Sequence, residues 1–262
     1  MSREQKKFIR KYYRQKIIIV FIQLFILLSF IFLWQFLSDK KIINSFMFSS
    51  PLKVVNEIRN LYISNNLFQH IKITVYETLL AFAISVVGSF IISIILYMSN
   101  LLYKIFDPYL TCLNSLPKVA LGPMIIIVFG ANIKSIIAMA VLINIIVSTL
   151  VILNGFFSTD KVKIKLMKSF NANKFQLLRY LIIPNSYKTI ISSLKLSISM
   201  SLIGVITGEF LVSKAGLGYL IIYGTQVFNL NLVISGIILL IIISYILYKI
   251  VCLIEKKLIK DK

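Results

Sequence analysis

Acidic side chains are scarce: nine Asp and Glu stand against 29 Lys and Arg in 262 residues, and charge of either sign reaches only 15%. A soluble globular domain carries about a quarter charged and about 45–50% apolar residues. Here the apolar share is 58% and the mean hydropathy +0.90, so a membrane protein is the first expectation. Histidine occurs once, at His70, which rules out the zinc-protease pattern H-E-x-x-H. None of the ten glycines is followed by lysine, so the phosphate-cradling G-x-x-x-x-G-K-[ST] loop is missing, and G-x-S-x-G does not occur. ATP hydrolysis through that loop is therefore excluded for this chain, and no cofactor is expected on it. Cys112 and Cys252 lie in apolar segments 140 positions apart, which indicates neither a disulfide framework nor a metal cluster. An intramembrane enzyme survives only as a rival without a recognisable nucleophile and base.

What is present in quantity is apolar sequence of spanning length. A membrane helix needs about 20 mostly apolar residues. Six segments meet this: 17–37, 74–98, 108–129, 135–156, 190–212 and 232–254, inside a transmembrane domain of residues 17–254. None alternates with period two, so the class is all-α, polytopic, with six transmembrane helices. The first apolar run is longer than a signal-peptide core and ends in Trp34, Phe36 and Leu37, so it reads as an uncleaved span.

The charge then acts as an address. With both termini in the cytoplasm, 20 of the 29 basic residues fall inside: residues 1–16, 99–107, 157–189 and the C-terminal end, including a 255–262 tail. Seven fall outside, and Lys118 and Lys195 lie within spans. The basic excess thus needs no nucleic acid and fits the plasma membrane of a prokaryote.

The largest inside connection, 158–188, divides into two amphipathic pieces. Val162, Leu166 and Phe170 recur every four residues beside Met167, with Lys161, Lys163, Lys165 and Lys168 on the remaining surface. Asn171-Ala172-Asn173 interrupts, Asn tolerating the left-handed conformation that ends helices. A second piece, Lys174–Ile183, carries Phe175, Leu178 and Ile182 on one stripe and is expected to stop at Pro184. The unit suits docking into a groove on a cytoplasmic partner, or lying on anionic lipid.

These residues carry a family resemblance. Lys165 to Asn173, followed by Ile183-Pro184, resembles the cytoplasmic signature of ABC importer permeases, roughly E-A-A, three residues, Gly, nine residues, Ile, one residue, Leu-Pro. In this chain Lys165-Leu166-Met167 replaces Glu-Ala-Ala and Asn171 replaces the glycine, removing an acidic residue from the ATPase contact. Ser115–Pro123 with Phe129-Gly130 is similar to the third-span segment of the nitrate/sulfonate/taurine branch. So are Thr74–Phe82, Gly208-Glu209-Phe210 and Gly216–Leu220, in the family's order over roughly residues 50–255. The resemblance implies an importer: two permease subunits, often identical, two cytoplasmic ATPase subunits that carry ATP and magnesium and dock on 158–188, and an extracellular or periplasmic substrate-binding protein. It also implies a small anion, a vitamin or a vitamin precursor as substrate. A self-sufficient secondary transporter or channel is the other rival, but no inverted repeat is visible.

Ionisable groups inside a bilayer usually face a protein interior or a water-filled cavity. Glu77 and Lys195 lie near span ends and read as snorkelling groups. Lys118 and Glu209 lie deeper. Lys118 sits between Pro117 and Pro123, where a kink frees backbone groups beside a cation. Two readings stand: Lys118 contacts an anionic substrate, or it pairs with Glu209. Ser193, Ser197, Ser201, Gly204 and Gly208 form a small-residue stripe for close helix packing, within one subunit or between two copies. Outside, Ser50-Pro51 opens an amphipathic helix with Val54, Val55, Ile58, Leu61 and Tyr62, and His70 reads as a surface residue.

Overall fold

Long apolar segments in lipid must satisfy their own backbone, and every regular element among the described residues is a helix. The computed structural model describes residues 3–43, 48–64 and 66–260. The first two and last two residues of the chain, which belong to the expected terminal segments, lie outside that range. In order the elements are α1 (Arg3–Asp39), α2 (Pro51–Ile63), α3 (Asn66–Met98), α4 (Asn100–Ser115), a 3-10 turn (Lys118–Leu121), α5 (Gly122–Phe129), α6 (Ile133–Phe157), α7 (Lys161–Ser169), α8 (Lys174–Val212), α9 (Leu217–Gln226) and α10 (Leu230–Lys260).

Five helices are long and apolar enough to cross a membrane: α1 from Arg14, α3, α6, α8 and α10. The expected third span is not a continuous helix: α4 and the 118–129 segment meet at 95°. Pro117 explains the break. It has no N–H to continue the helix, and the residue before it, Leu116, is extended at φ −67°, ψ 140°, as a following proline requires. At 1.5 Å per residue α4 covers only about 24 Å, less than the hydrocarbon thickness, so the sixth crossing exists only if the bent pair serves as one.

The core is built on α6, which packs against both α3 and α8, while α9 and α10 close the far side of α8. Gly204 permits the α6–α8 crossing: a Cβ there would lie 2.4 Å from Ala140 Cα. Asn144, buried in the middle of α6, donates to Ser197 Oγ at 2.7 Å and Ser201 Oγ at 2.8 Å, and accepts from Ser148. Ser197, Ser201, Gly204 and Gly208 therefore pack inside the subunit. By contrast, α1 is exposed from Ile17 to Leu33 and meets the rest near Trp34 and Ser38. After α1, α2 is capped by Ser50, whose hydroxyl accepts from Lys53 N, and buries Val54 while Val55 and Tyr62 stay exposed.

A second difference concerns Pro184. The helix does not stop there: Lys174–Val212 is one 39-residue rod. Residues Leu178–Ile182 form a π-turn, in which Ile183 N–H donates to Leu178 O five residues back. An interior proline clashes with the carbonyl four residues before it; the widened turn immediately ahead of Pro184 relieves that clash.

Candidate functional site

Two ends of α8 hold the candidate residues. At one end α7 and the start of α8 form the expected hairpin. Asp160 caps α7 by accepting from Val162 N at 2.8 Å. Asn171 adopts φ +56°, the left-handed turn expected of it. Asn173 then starts α8 with a reciprocal cap: its side chain accepts from Gln176 N, and Gln176 Oε1 accepts from Asn173 N, both at 2.8 Å.

The hairpin is tied to the bundle. Leu177, Leu178 and Ile182 are buried with Leu96, Ile152, Leu153 and Phe156, and Ile164 and Met167 pack against that cluster. Lys174 Nζ donates to Met98 O and Ser186 Oγ to Gly155 O. Its outward face carries Val162, Leu166, Phe170 and Phe175, exposed by 71, 56, 75 and 60%. Ala172 sits in the turn between. Tyr187 Oη donates to Leu258 O, so the C-terminal end of α10 lies on this same side.

The other end is a buried polar junction. His70, Thr74 and Glu77, spaced four and three, share one face of α3. Thr74 Oγ1 donates to Glu209 Oε1 at 2.6 Å and accepts from Leu217 N at 2.8 Å. Gly218 N–H donates to Glu209 Oε2, and Gly216 N–H to His70 Nδ1 at 2.9 Å. Gly216 has φ +121°, and a Cβ on it would strike the Glu209 carboxyl at 2.4 Å, so the position requires glycine. His70 stacks on Tyr219, 6.0 Å between ring centres. The Glu77 carboxyl lies within hydrogen-bonding reach of Glu209.

Four expectations are corrected here. Glu77 does not snorkel: it is 2% exposed and meets Glu209. Lys195 is ion-paired with Glu255 at 2.9 Å. The Lys118–Glu209 pair does not form, because Lys118 Nζ donates to Asn114 O at 3.0 Å, capping the broken end of α4, while Glu209 is fully buried among its own donors. Pro117 begins the 3-10 turn and Pro123 lies in the first turn of α5. His70 is a partner of the 213–218 loop and not an ordinary surface residue.

Composition could not reveal Asn144, but its signal was visible: an amide in the middle of a charge-free span. Ser85, Ser89 and Ser93, four apart on α3 and all buried, carry the same small-residue signal as the α8 stripe. A groove of about 590 Å³ runs between α8 and α10, with Ser199, Thr207, Ser244, Tyr245 and Tyr248 in its wall and no charged side chain.

Among the described residues the chain is all-helical, with five helices of spanning length and an exposed, capped helix pair at 161–183. Its family is that of the binding-protein-dependent transport system inner membrane component, which matches residues 84–260. The chain belongs to this family and is a permease subunit of an ABC importer, of the nitrate/sulfonate-type branch. A probable ABC transporter permease protein of Haemophilus influenzae is 27% identical over 216 residues, 82% of this chain and 87% of that one. The putative aliphatic sulfonates transport permease protein SsuC of Bacillus subtilis is 25% identical over 231 residues, 87% and 83% of the two chains. In three dimensions the chain is similar to the permease of the MetNI methionine ABC transporter, with a TM-score of 0.60 and 16% identity, covering 74% of this chain and 97% of that one. That likeness confirms the fold.

Proposed function

We propose that this permease couples a substrate pathway in the membrane to separate ATPase subunits through the 158–188 hairpin. The observation that carries the reading is the exposed stripe Val162, Leu166, Phe170 and Phe175 on a helix pair that is capped and packed on the bundle through Ile164, Met167, Leu177 and Leu178. Apolar side chains held out by a rigid base suit a groove on a partner. The ATPases would supply ATP and magnesium, this chain binding neither, and an extracellular or periplasmic binding protein would deliver substrate. Both termini and the hairpin then face the cytoplasm of a prokaryote, as the basic residues favour. A second copy of the chain is the natural mate for the pathway.

Mechanically, α8 is a lever. Its first turn belongs to the hairpin and its last holds Glu209, about 53 Å from Lys174 at helical rise. A push on Leu166 and Phe170 reaches Leu177 and Leu178 through buried packing and moves the rod against α6 and α3, which supports alternating access. Lys118 is the candidate contact for an anionic solute such as the sulfonates named for the Bacillus relative, because among the described residues it has no carboxylate partner. Pro117 and Pro123 would hold that bend open; Glu209, buried, stays out of the pathway.

The test is purification of the detergent-extracted complex from its native operon. Wild-type permease should bring down the ATPase, and the Leu166→Glu, Phe170→Glu double variant should not, with unchanged thermal unfolding of the permease. Transport that survives deletion of 161–183 would refute the proposal.

A further inference from the structure

We propose that Glu77 holds a proton inside the bundle and donates it to Glu209, making the α3–α8–α9 junction a proton-binding site. The placement follows from donors and acceptors. Each oxygen of Glu209 receives a donor, Oε1 the Thr74 hydroxyl and Oε2 the Gly218 N–H, so it is placed as an acceptor. Thr74 has spent its only proton on Glu209, and Thr78 has spent its own on Thr74 O. Two carboxylates cannot bond each other without a proton between them, and each Glu209 oxygen already accepts one donor while keeping a lone pair for another. The proton therefore sits on Glu77. The remaining Glu77 oxygen, Oε2, is buried with no partner, a state an acid carbonyl tolerates far better than a carboxylate.

No cation replaces that proton among the described groups. On α3, His70 Nδ1 is an acceptor of Gly216 N–H and Lys72 is exposed; in the following loop Lys214 is exposed. The buried face of α6 carries no titratable residue, and α9 contributes Tyr219. On α8 and α10 the Lys195–Glu255 pair lies fourteen residues from Glu209, about 21 Å along the helix.

The site has a consequence for motion. The polar ties of the 216–218 backbone to α3 and α8 run to the Glu209, Thr74 and His70 acceptors, beside the burial of Leu217 against Leu67. Losing the Glu77 proton places two negative charges in one dry site, relieved when 216–218 lifts away and water enters. Proton occupancy and docking of α9 are thus one equilibrium. This inference stands on the junction and not on the importer reading, so either can fail alone.

Infrared spectroscopy of the full chain in lipid nanodiscs decides it. At neutral pH the wild type should show an acid C=O stretch slow to exchange in deuterium oxide, and Glu77→Gln, whose amide still donates to Glu209, should lack it. Deuterium uptake at 213–218, divided by the base-catalysed intrinsic exchange rate, should still rise with pH, by up to about tenfold per pH unit for one coupled proton, and this residual dependence should be absent in Glu77→Gln. A band that persists in Glu77→Gln, or equal pH dependence in both, overturns the proposal. So does protection of the loop by sodium over choline at fixed pH, which would assign a cation. If Glu77→Gln does not fold, the absence of the band from the wild type is still sufficient to refute the site.

Discussion

The two ends of α8 break opposite rules. At the hairpin end, apolar side chains stand in the open where a polar surface is expected; at the far end, two carboxyls are buried where apolar packing is expected. Single exposed hydrophobes mean little, but a stripe on a rigid base marks a contact surface. Buried charge persists only with a full set of partners. The difference separates a surface awaiting a partner subunit from a junction that supplies its own.

The largest effect expected on this contrast is at the junction. Glu209→Ala leaves the Thr74 and Gly218 donors unpaired and should cost about 3–5 kcal/mol, the range for breaking a buried charged pair; thermal unfolding in nanodiscs reads it. Glu77→Gln should stay near wild type in the same assay, and an equal loss in both variants would erase the asymmetry. At the hairpin, Leu166→Glu with Phe170→Glu should lower ATPase affinity by at least about tenfold, roughly 1.4 kcal/mol, with unfolding unchanged. Between the two ends, Gly204→Leu pushes into Ala140 and should destabilise by about 1–3 kcal/mol, whereas a homodimer seam would show the effect as dissociation instead. Lys118→Met should reduce uptake of an anionic substrate while leaving unfolding in place; unchanged uptake at equal expression would remove Lys118 from the pathway. The smallest change is Lys195→Ala, which should barely move thermal unfolding, because that pair is partly open to solvent.

Much of the architecture was legible from residues alone, since length, apolarity and the absence of period-two alternation leave helices as the only spanning structure. The hairpin was legible because a period near four and an Asn turn are local properties, and Asn171 at φ +56° fulfils one of them. The kink at Pro117 was readable, but its 95° angle is set by how α5 packs on α6, which no local pattern encodes. Glu77 was misread because the apolar run starts at Thr74 while the helix starts at Asn66, placing the carboxyl eleven residues inside rather than at an end. Glu209 and the Gly216–Gly218 turn were each visible as family-like segments. Their meeting with Thr74 joins positions about 140 residues apart in sequence, and only the folded chain brings them together.

The π-turn before Pro184 sets the phase of the lever. One residue adds about 100° to a helix, so the extra residue held at Leu178–Ile182 fixes which compass direction Phe175 takes relative to Ser197 and Glu209. Removing one residue there would restore an ordinary helix and still rotate the hairpin by about a quarter turn against the bundle, leaving every helix intact and the coupling face aimed away from its partner.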